Sequence, residues 1–424
     1  MASDNMLYAK LFESCPRDWS IVPFDTAIDF QEGPGILAVD FHESGVPLIR
    51  LSGVQSNMVS LKGCNFLSQD KVSKKWSHFR LIRGDLLIST SATIGMVSEV
   101  GPEAEGAIAY TGLIRLRPRD KSVHSDFIKH FAKSDLFIKQ AEGMAAGSVM
   151  RHFGPSHLRQ MSFVIPPLSE QKRIASILDA LDDKIEMNRK MNETLEQMAR
   201  ALFKSWFVDF DPVHAKAAGR QPAGMDKATA DLFPDSFVDS ELGKIPKGWM
   251  VKKVGEFIER LSVGQKYDQK TVLRAGNIPV FDQGKSGGIG FHNNEPGVIA
   301  SAVKPVVVFA NHTCYMRIIA HPFSVIQNVL PFVGYGVDTF WTYYATVGRL
   351  SFSEYKGHWP DFIIQESVVP PYEITEAFGR YAKSLVAKIW ANEEEEKKLT
   401  HIRENLLPKL MKGGLTHAQN AIED

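Results

Sequence analysis

Cysteine and net charge are both scarce in this sequence. The 424 residues include three widely spaced cysteines, Cys15, Cys64 and Cys314, and no cluster of histidine and cysteine at metal-ligand spacing. A disulfide framework and a structural zinc site are therefore not indicated, and a reducing compartment fits best. Lysine plus arginine equals aspartate plus glutamate at 49 each, so the composition does not indicate a uniformly basic nucleic-acid-binding protein. A nucleic-acid surface has to come from local clustering of charge.

Long apolar runs are also missing. The amino-terminal residues, MASDNMLYAKLF, lack the basic start and apolar core of a signal peptide. The most apolar stretch, from Gly297 to Ala310, is interrupted by Lys304 and Pro305. We therefore expect a cytoplasmic protein that is not embedded in a membrane. The length suits two or three domains, and 44% apolar with 23% charged residues is ordinary for folded proteins.

An internal repeat organises the chain. When Pro166 is aligned with Pro370 without gaps, both segments open with Pro-Pro and then show a helical pattern. The matching pairs are Leu181 and Leu385, Lys184 and Lys388, Ile185 and Ile389, Asn188 and Asn392, Leu195 and Leu399, Met198 and Ile402, and Leu202 and Leu406. Similarity is thus concentrated at positions that a helix would bury.

Two long helices are predicted from this repeat. The first copy, from about Ser169 to about Phe207, contains no glycine or proline, and Ser169 is its predicted N-cap. Apolar residues of both copies fit the a and d positions of a heptad, with Asn188 and Asn392 at matching seam positions. The remaining seam residues are Ile174, Leu178, Leu181, Ile185, Leu195, Leu202, Phe378, Ala382, Leu385, Ile389, Leu399 and Leu406. Each helix could instead be an amphipathic core helix of its own domain, but length and repetition favour pairing.

A weaker repeat precedes each helix. Pro16 and Trp19 align with Pro246 and Trp249, residues 46–49 align with residues 278–281, and GDLLIS from Gly84 is set against GVIAS from Gly297. Short β-rich runs alternate with turn-forming residues, which is typical of a mixed α/β domain. We therefore predict an α+β protein with two pseudo-repeated mixed α/β domains separated by two long helices. The predicted segments are domain 1 (1–165), helix 1 (166–212), a small, polar linker (213–240), domain 2 (241–369), helix 2 (370–415) and a tail (416–424).

Each domain clusters basic, aromatic and amide residues on predicted loops. Arginine and lysine neutralise phosphates and pair with guanine, while asparagine pairs with adenine through two hydrogen bonds. The candidate DNA-binding residues in domain 1 are Lys71, Lys74, Lys75, Trp76, His78, Arg80, Ser148, Arg151 and His152. Those in domain 2 are Lys266, Tyr267, Lys270, Arg274, Lys285, Ser286, His292, Asn293 and Asn294. Any one of them could be an ordinary solvated loop residue, but their clustering in both halves favours DNA binding.

Motifs for catalysis and metal binding are absent from the sequence. The first glycine that a phosphate-binding loop ending in Gly284-Lys285-Ser286 requires would fall at Pro279. Asp182-Asp183-Lys184 has the spacing of a nuclease metal site, but it lies within a predicted helix and is interpreted as helix surface. The [DN]PP[FY] tetrapeptide of amino-methyltransferases does not occur. We therefore predict no catalytic residue, metal ligand or cofactor in this chain.

The repeat segments carry a family resemblance. The segment from Pro166, PPLSEQKRIASILDALDDKI, closely resembles the conserved segment after the first recognition domain of type I restriction-modification specificity subunits. LFKSWFVDF and the second-half LLPKLMKGGL are also similar to that family. The second copy departs from the pattern at residues 372–375, where Tyr-Glu-Ile-Thr replaces Leu-Ser-Glu-Gln. This departure leaves the start of the second helix open.

The resemblance implies a non-catalytic subunit that recognises a bipartite target in double-stranded DNA. The antiparallel helices would form a coiled-coil-like ruler for the unspecified spacer between the half-sites. Two methyltransferase subunits would carry S-adenosylmethionine and methylate adenine, and restriction subunits dependent on ATP and Mg would cleave. Two unlike domains on a pseudo-twofold repeat also favour an asymmetric target. The alternatives are a helical scaffold without DNA recognition and a stand-alone modification enzyme with a divergent site.

Overall fold

The computed structural model describes residues 10–54, 57–90, 95–145, 153–284, 288–352, 354 and 356–414. Two compact units form within the chain. The first comprises Met1–Asn188 with Glu394–Asp424, and the second comprises Arg189–Glu393. The chain therefore leaves the first unit, builds the second and then returns to the first.

The first unit mixes short strands with helices. Its strands are β1 (Ser20–Pro23), β2 (Ile28–Glu32), β3 (Val46–Ile49), β4 (Asn65–Leu67), β5 (Leu86–Ser89), β6 (Val97–Glu99), β7 (Ile108–Ala109), β8 (Leu113–Pro118) and β9 (Ser162–Ile165). Its helices are α1 (Phe24–Ala27), α2 (Gln69–Lys71), α3 (Ser125–Ala132), α4 (Asp135–Ala145), α5 (Pro155–Leu158) and the first half of α6 (Leu168–Phe207). A π-helical turn, Val72–Trp76, follows α2 directly.

The second unit has a similar composition of elements. Its helices are the second half of α6, α7 (Asp211–Ala217), α8 (Lys227–Asp231), α9 (Thr339–Thr346), α10 (Trp359–Ile363) and the first half of α11 (Tyr372–Leu410). Its strands are β10 (Phe237–Ser240), β11 (Gly243–Pro246), β12 (Met250–Lys253), β13 (Ile258–Arg260), β14 (Ile278–Phe281), β15 (Gly290–His292), β16 (Val306–Ala310), β17 (Met316–Ile319), β18 (Ser324–Val325), β19 (Val329–Gly334) and β20 (Glu366–Val369).

Three sheets of each unit correspond strand for strand in the described residues, and the second unit has the β10-β11 hairpin in addition. The first unit has the orders β2-β8-β5-β6, β4-β3-β7 and β1-β9, and the second has β13-β19-β16-β17, β15-β14-β18 and β12-β20. In each three-stranded sheet one neighbour pairs in parallel, β7 with β3 and β18 with β14. This correspondence confirms an α+β fold with two pseudo-repeated domains and two long helices.

One part of the predicted repeat alignment is wrong. Leu86 in β5 pairs with Leu116, and the corresponding pair in the second unit is Val307 with Phe332. GDLLIS therefore corresponds to the segment ending in β16 and not to residues 297–301. The physical reason is burial, because β5 and β16 are each buried at every position, whereas Ile299 is exposed.

The repeated Pro-Trp pairs form the same turn in both units. The backbone N–H of Trp19 donates to the carbonyl of Pro16 at 3.1 Å, and that of Trp249 donates to Pro246 at 3.1 Å. Both indoles are buried, and each immediately precedes the strand that pairs with the last strand of its domain. The turn thus places a large core side chain where each domain begins.

Both long helices begin directly after a Pro-Pro pair. The Pro167 carbonyl accepts hydrogen bonds from the backbone N–H groups of Glu170 and Gln171, at 2.9 and 3.0 Å. Ser169 therefore lies inside the first turn, and its prediction as N-cap is wrong because the Pro167 carbonyl closes that turn. Pro371 plays the same role for α11, which settles the start of the second helix at Tyr372.

Gln171 and Thr375 occupy matching positions in the two helices and have matching contacts. The Gln171 side-chain oxygen accepts from the His124 backbone N–H at 2.8 Å, and the Thr375 hydroxyl accepts from the Asp338 N–H at 3.0 Å. His124 and Asp338 are the N-cap residues of α3 and α9. The divergent sequence after Pro371 thus preserves the link between helix and domain.

The long helices pack antiparallel within each unit. In the first, Asn188 Nδ2 donates to Glu395 Oε2 at 2.9 Å; in the second, Asn392 Nδ2 donates to Asn192 Oδ1 at 2.8 Å. Asn188 and Asn392 are each 1% exposed, so both seam amides are buried with a partner on the other helix. Ile174, Leu178, Ile185, Phe378 and Ala382 are buried as well. The half-buried seam residues are Leu181, Leu195, Leu202, Leu385, Ile389, Leu399 and Leu406.

Residues 213–240 are more structured than their small, polar composition indicates. They include parts of α7, all of α8 and the strand β10, which forms a hairpin with β11. Val213 and Phe233 are buried in a largely aromatic core that also contains Trp206 and Trp249. The composition of the segment does not reveal this packing, because the core includes Trp206 and Trp249, which lie outside the segment. Among the described residues, no helix is both long enough and apolar enough to cross a lipid bilayer.

Candidate nucleic-acid interface

The lysine-rich segment of the first unit lies on α2 and the π-helical turn. Lys71 ends α2, Lys74 and Lys75 lie in the turn, and all three side chains are exposed. Lys71 also forms an ion pair with Asp40, which ends the short 3-10 helical turn Ala38–Asp40. The structure thus brings these lysines together on one short helical segment rather than on an extended loop.

Trp76 is a core residue and not a surface aromatic. It is 4% exposed and belongs to the same core cluster as Val72 and Ile36. The ammonium groups of Lys71 and Lys75 lie 5.7 and 5.3 Å from its ring centroid, within the range of a cation–π contact. We therefore remove Trp76 from the candidate DNA contacts, because its ring is occupied by packing and positions the lysines.

Arg80 and His78 differ in their freedom to contact a ligand. Arg80 Nη1 donates to the Gly106 carbonyl at 2.8 Å, and Nη2 lies 3.4 Å from Gln69 Oε1, so this side chain ties two loops together. His78 is exposed and lies against Phe79, with ring centroids 4.2 Å apart. His78 is the better candidate for an external contact.

The remaining candidates of this unit, Ser148, Arg151 and His152, lie outside the described residues, as do Lys285 and Ser286 of the second unit.

Two candidates of the second unit form an internal support. Tyr267 and His292 are buried and stacked, with centroids 4.1 Å apart and planes 12° apart. His292 Nδ1 accepts from the Asn294 backbone N–H at 3.1 Å, which leaves Nε2 as the donor to Ser324 Oγ at 2.9 Å. Burial lowers the pKa of His292, in agreement with a neutral ring. These two residues support loops and are not free to contact DNA.

The other described candidates of the second unit are exposed. Asn293 Oδ1 accepts from the Asn277 backbone N–H at 3.0 Å, and Asn294 Nδ2 lies 3.3 Å from the Tyr267 hydroxyl. Each amide therefore has one side engaged in holding its loop. Lys266, Lys270 and Arg274 lie along a single segment of this unit. These three residues supply the positive charge of that segment.

Two exposed aliphatic residues near the lysine segment were missed by sequence reasoning. Leu37 and Val39 are 73% and 82% exposed. Their loop is anchored because the Tyr110 hydroxyl donates to the Ile36 carbonyl at 3.2 Å and Asp40 pairs with Lys71. Aliphatic side chains in DNA-binding proteins contact thymine methyl groups. Nothing in the local sequence distinguishes these two residues from core residues, so only the structure reveals them.

Asp182, predicted to lie on the helix surface, is buried. Its carboxylate is 2% exposed and bonds to Lys133 Nζ at 2.9 Å and Arg403 Nη1 at 2.8 Å. Burial opposes its charge, but the two cations outweigh that effect and lower the pKa of Asp182. Asp182 is buried because α3 and α11 pack on this face of α6. A local sequence pattern does not show this packing. Among the described residues, no group of three or more His, Cys, Asp or Glu side chains could hold a metal ion.

Comparisons with known proteins match this architecture. Residues 18–197 match the family model described as the type I restriction modification DNA specificity domain. The chain is 28% identical over 210 residues to the MjaIX specificity subunit of Methanocaldococcus jannaschii, covering 50% of this chain and 44% of that protein. It thus spans less than half the length of that relative. It is 23% identical to the putative MjaX specificity subunit of the same organism, covering 94% of both chains.

A solved structure shows the same fold. The type I restriction-modification system S subunit from M. genitalium superposes with a TM-score of 0.54 at 16% identity, covering 95% of this chain and 98% of that one. The match to the type I restriction modification DNA specificity domain covers residues 18–197, and the solved S subunit shares the fold of the chain.

Proposed function

We propose that this chain recognises an asymmetric, two-part sequence in double-stranded DNA, with one part read by each unit. The observation that carries this proposal is that the two units share the strand orders of three sheets but differ in the side chains they expose. A shared scaffold supports the same approach to DNA, whereas different side chains select different bases.

The exposed residues suit this role. In the first unit, lysines 71, 74 and 75 provide charge for phosphates beside the aliphatic Leu37 and Val39. In the second unit, Arg274 and two asparagines provide groups that pair with guanine and adenine. Contacts from the lysines would add affinity that falls with salt and carries no sequence information.

The partners in this proposal are two methyltransferase subunits and restriction subunits. The methyltransferase subunits would bring S-adenosylmethionine and methylate adenine, and the restriction subunits would use ATP and Mg to cleave DNA. This chain would select the site, and α6 and α11 would set the gap between the half-sites. We propose no cofactor for the chain itself.

The test is to express the chain with its proposed methyltransferase partner and to map methylated adenines across the host genome by single-molecule sequencing. The expected result is a motif of two unlike specified parts separated by a fixed number of unspecified bases. The matched control is the methyltransferase subunit expressed alone.

Two outcomes would reject the proposal. A methylated motif that does not depend on this chain would assign recognition to the methyltransferase subunit. Complete lack of methylation, together with lack of duplex binding by the assembled complex, would favour a helical scaffold without DNA recognition.

A further inference from the structure

A cleft with both polar and apolar lining lies in the second unit beside the exposed cations. Its volume is about 610 Å³. Its walls come from the Lys266–Gln269 segment, the turn at residues 282–284, Thr313 at the tip between β16 and β17, and residues 326–327 before β19. All these segments belong to loops at the ends of strands. The cleft is therefore formed by loops. Binding residues are often found on loops, which can vary in sequence while the sheet that supports them stays the same.

The walls of the cleft are held rigidly. The Gln283 side-chain oxygen accepts from the His312 backbone N–H at 2.8 Å, and the Gln283 carbonyl accepts from the Thr313 hydroxyl at 2.6 Å. The Gly284 carbonyl accepts from Arg317 Nη2 at 2.8 Å. On the opposite wall, Tyr267 is fixed by its stack on a buried imidazole. Supported walls of this kind preorganise the groups that face a ligand.

The backbone beside the cleft adopts left-handed conformations. Cys314 has φ of 58° and follows Thr313, and Asn328 has φ of 67° and follows Gln327. Asn328 is also held in place, because its carbonyl accepts from the Asn311 backbone N–H at 2.9 Å. Non-glycine residues adopt this conformation at an energetic cost and are concentrated at functional sites. Both conformations orient residues that line the cleft.

Gln269 and Gln327 line the cleft, and their side-chain amides are available to a ligand. Both residues are exposed, and within the described part of the chain neither side chain makes a hydrogen bond or ion pair. Gln283 differs from them, because its side chain is used inside the protein. Two free amides on rigid walls offer paired donors and acceptors to an incoming ligand.

The charges around the cleft select against phosphate. Asp268 and Asp282 line it together with one cation, Lys266, so a phosphate inside would meet two carboxylates. A neutral ligand edge that carries both donors and acceptors suits this lining, and a base-pair edge in the DNA groove has that chemistry. Phosphates would be contacted outside the cleft by Lys270 and Arg274.

We propose that this cleft receives the edge of a base pair in the second part of the target, with Gln269 and Gln327 as specificity-determining residues that favour adenine. Glutamine pairs with adenine through two hydrogen bonds, from its amide oxygen and its amide nitrogen. This inference rests on the proposed function and adds to it the residues that read one specified position.

The test maps the methylated motif for Gln269→Ala and Gln327→Ala in the full chain, assembled with its methyltransferase partner. We expect one specified position in the second part to become degenerate, with discrimination reduced about 10- to 100-fold, and the first part and the gap to stay unchanged. Gln327→Glu replaces the amide by an acceptor of the same shape and is expected to shift preference towards cytosine. Gln197→Ala, an exposed glutamine on α6, is the matched control and is expected to leave the motif unchanged.

The outcomes separate this inference from the proposed function. A wild-type bipartite motif that both alanine variants leave unchanged would overturn the inference alone. Loss of methylation at every site by variants that melt at the wild-type temperature would also overturn it, because a base-reading residue affects one position. Absence of any bipartite motif with the wild-type chain would instead reject the proposed function.

Discussion

The buried imidazole of His292 links pH to the stability of the second unit. Its folded-state pKa is lowered, so the unfolded chain binds a proton more readily than the folded one. The contribution of His292 to the free energy of unfolding is therefore fully present above the unfolded pKa of about 6.5. It is lost as the pH falls from that value through the folded-state pKa.

We expect the free energy of unfolding of the wild type to fall between pH 7.5 and pH 5.5, and His292→Asn to remove part of that fall. The loss from one histidine is limited to about 1.4 kcal/mol per pH unit. Urea denaturation of both proteins at several pH values measures the difference, with exposed His78→Asn as the control. Equal pH dependence in the wild type and His292→Asn would show that the ring does not stay neutral on folding.

Single residues were the hardest features to predict. The composition of residues 71–83 correctly locates exposed lysines, but it cannot separate Trp76, which is buried, from its neighbours, because burial depends on residues distant in sequence. Likewise, the local sequence pattern around α6 places Asp182 on the surface, since its cationic partners come from other elements. Whether the exposed candidates bind DNA stays a prediction.

At the scale of elements, Asp182 joins three helical segments of the first unit. It lies on α6, while Lys133 immediately follows α3 and Arg403 lies on α11. Replacing it with Asn keeps the shape but leaves two cations without their counter-charge. We expect Asp182→Asn to lower the free energy of unfolding by about 3 to 5 kcal/mol at pH 7. Thermal or urea denaturation checks this, with the adjacent exposed Asp183→Asn as the matched control.

The pH dependence of this effect has a definite sign. Because the folded pKa of Asp182 is lowered, its contribution is present above the unfolded pKa of about 3.9 and disappears as pH falls through the folded value. The wild type and Asp182→Asn should therefore converge in stability as the pH falls below about 4. A difference that stays constant down to pH 2 would assign the effect of the substitution to packing instead.

Helices were predicted better than strands. The long helices follow from a periodic pattern carried over many residues, and their ends agree with the structure to within a few residues. Strands of three to six residues carry little pattern. GDLLIS was therefore aligned with residues 297–301 instead of with the segment that ends in β16. Pairing of β5 with β8 and of β16 with β19 defines the correct correspondence, and those pairs are distant in sequence.

For the whole molecule, the proposed spacing role of the paired helices can be tested through the length of the gap between the half-sites. Adding one heptad to α6 after Asn188 and one heptad to α11 before Glu395 keeps the seam in phase and lengthens each helix by about 10 Å. Since base pairs are spaced by about 3.4 Å, we expect the methylated motif to keep both specified parts and to gain about three unspecified bases. A heptad added to α6 alone is the control and is expected to abolish methylation. An unchanged gap after the paired insertion would reject the role of the helices in spacing.

The duplicated architecture was predictable from sequence because the same spacing of Pro-Pro pairs and seam residues occurs twice. The target sequence was not predictable, since base choice depends on the approach of each loop to the groove. The Gln269 and Gln327 amides illustrate this limit, because only the folded loops show that they share one cleft.

The first unit is assembled from two segments that the ribosome makes far apart in time. Arg403 follows Asp182 by 221 residues, and Leu410 and Met411 join the core that contains Ile174 and Leu178. At roughly 5 to 20 residues per second, synthesis of the intervening chain takes on the order of 10 to 40 s. During that time the second unit, which is continuous in sequence, can fold completely. The amino-terminal half must wait with an uncovered apolar face and an unfinished charge network until its last helix emerges.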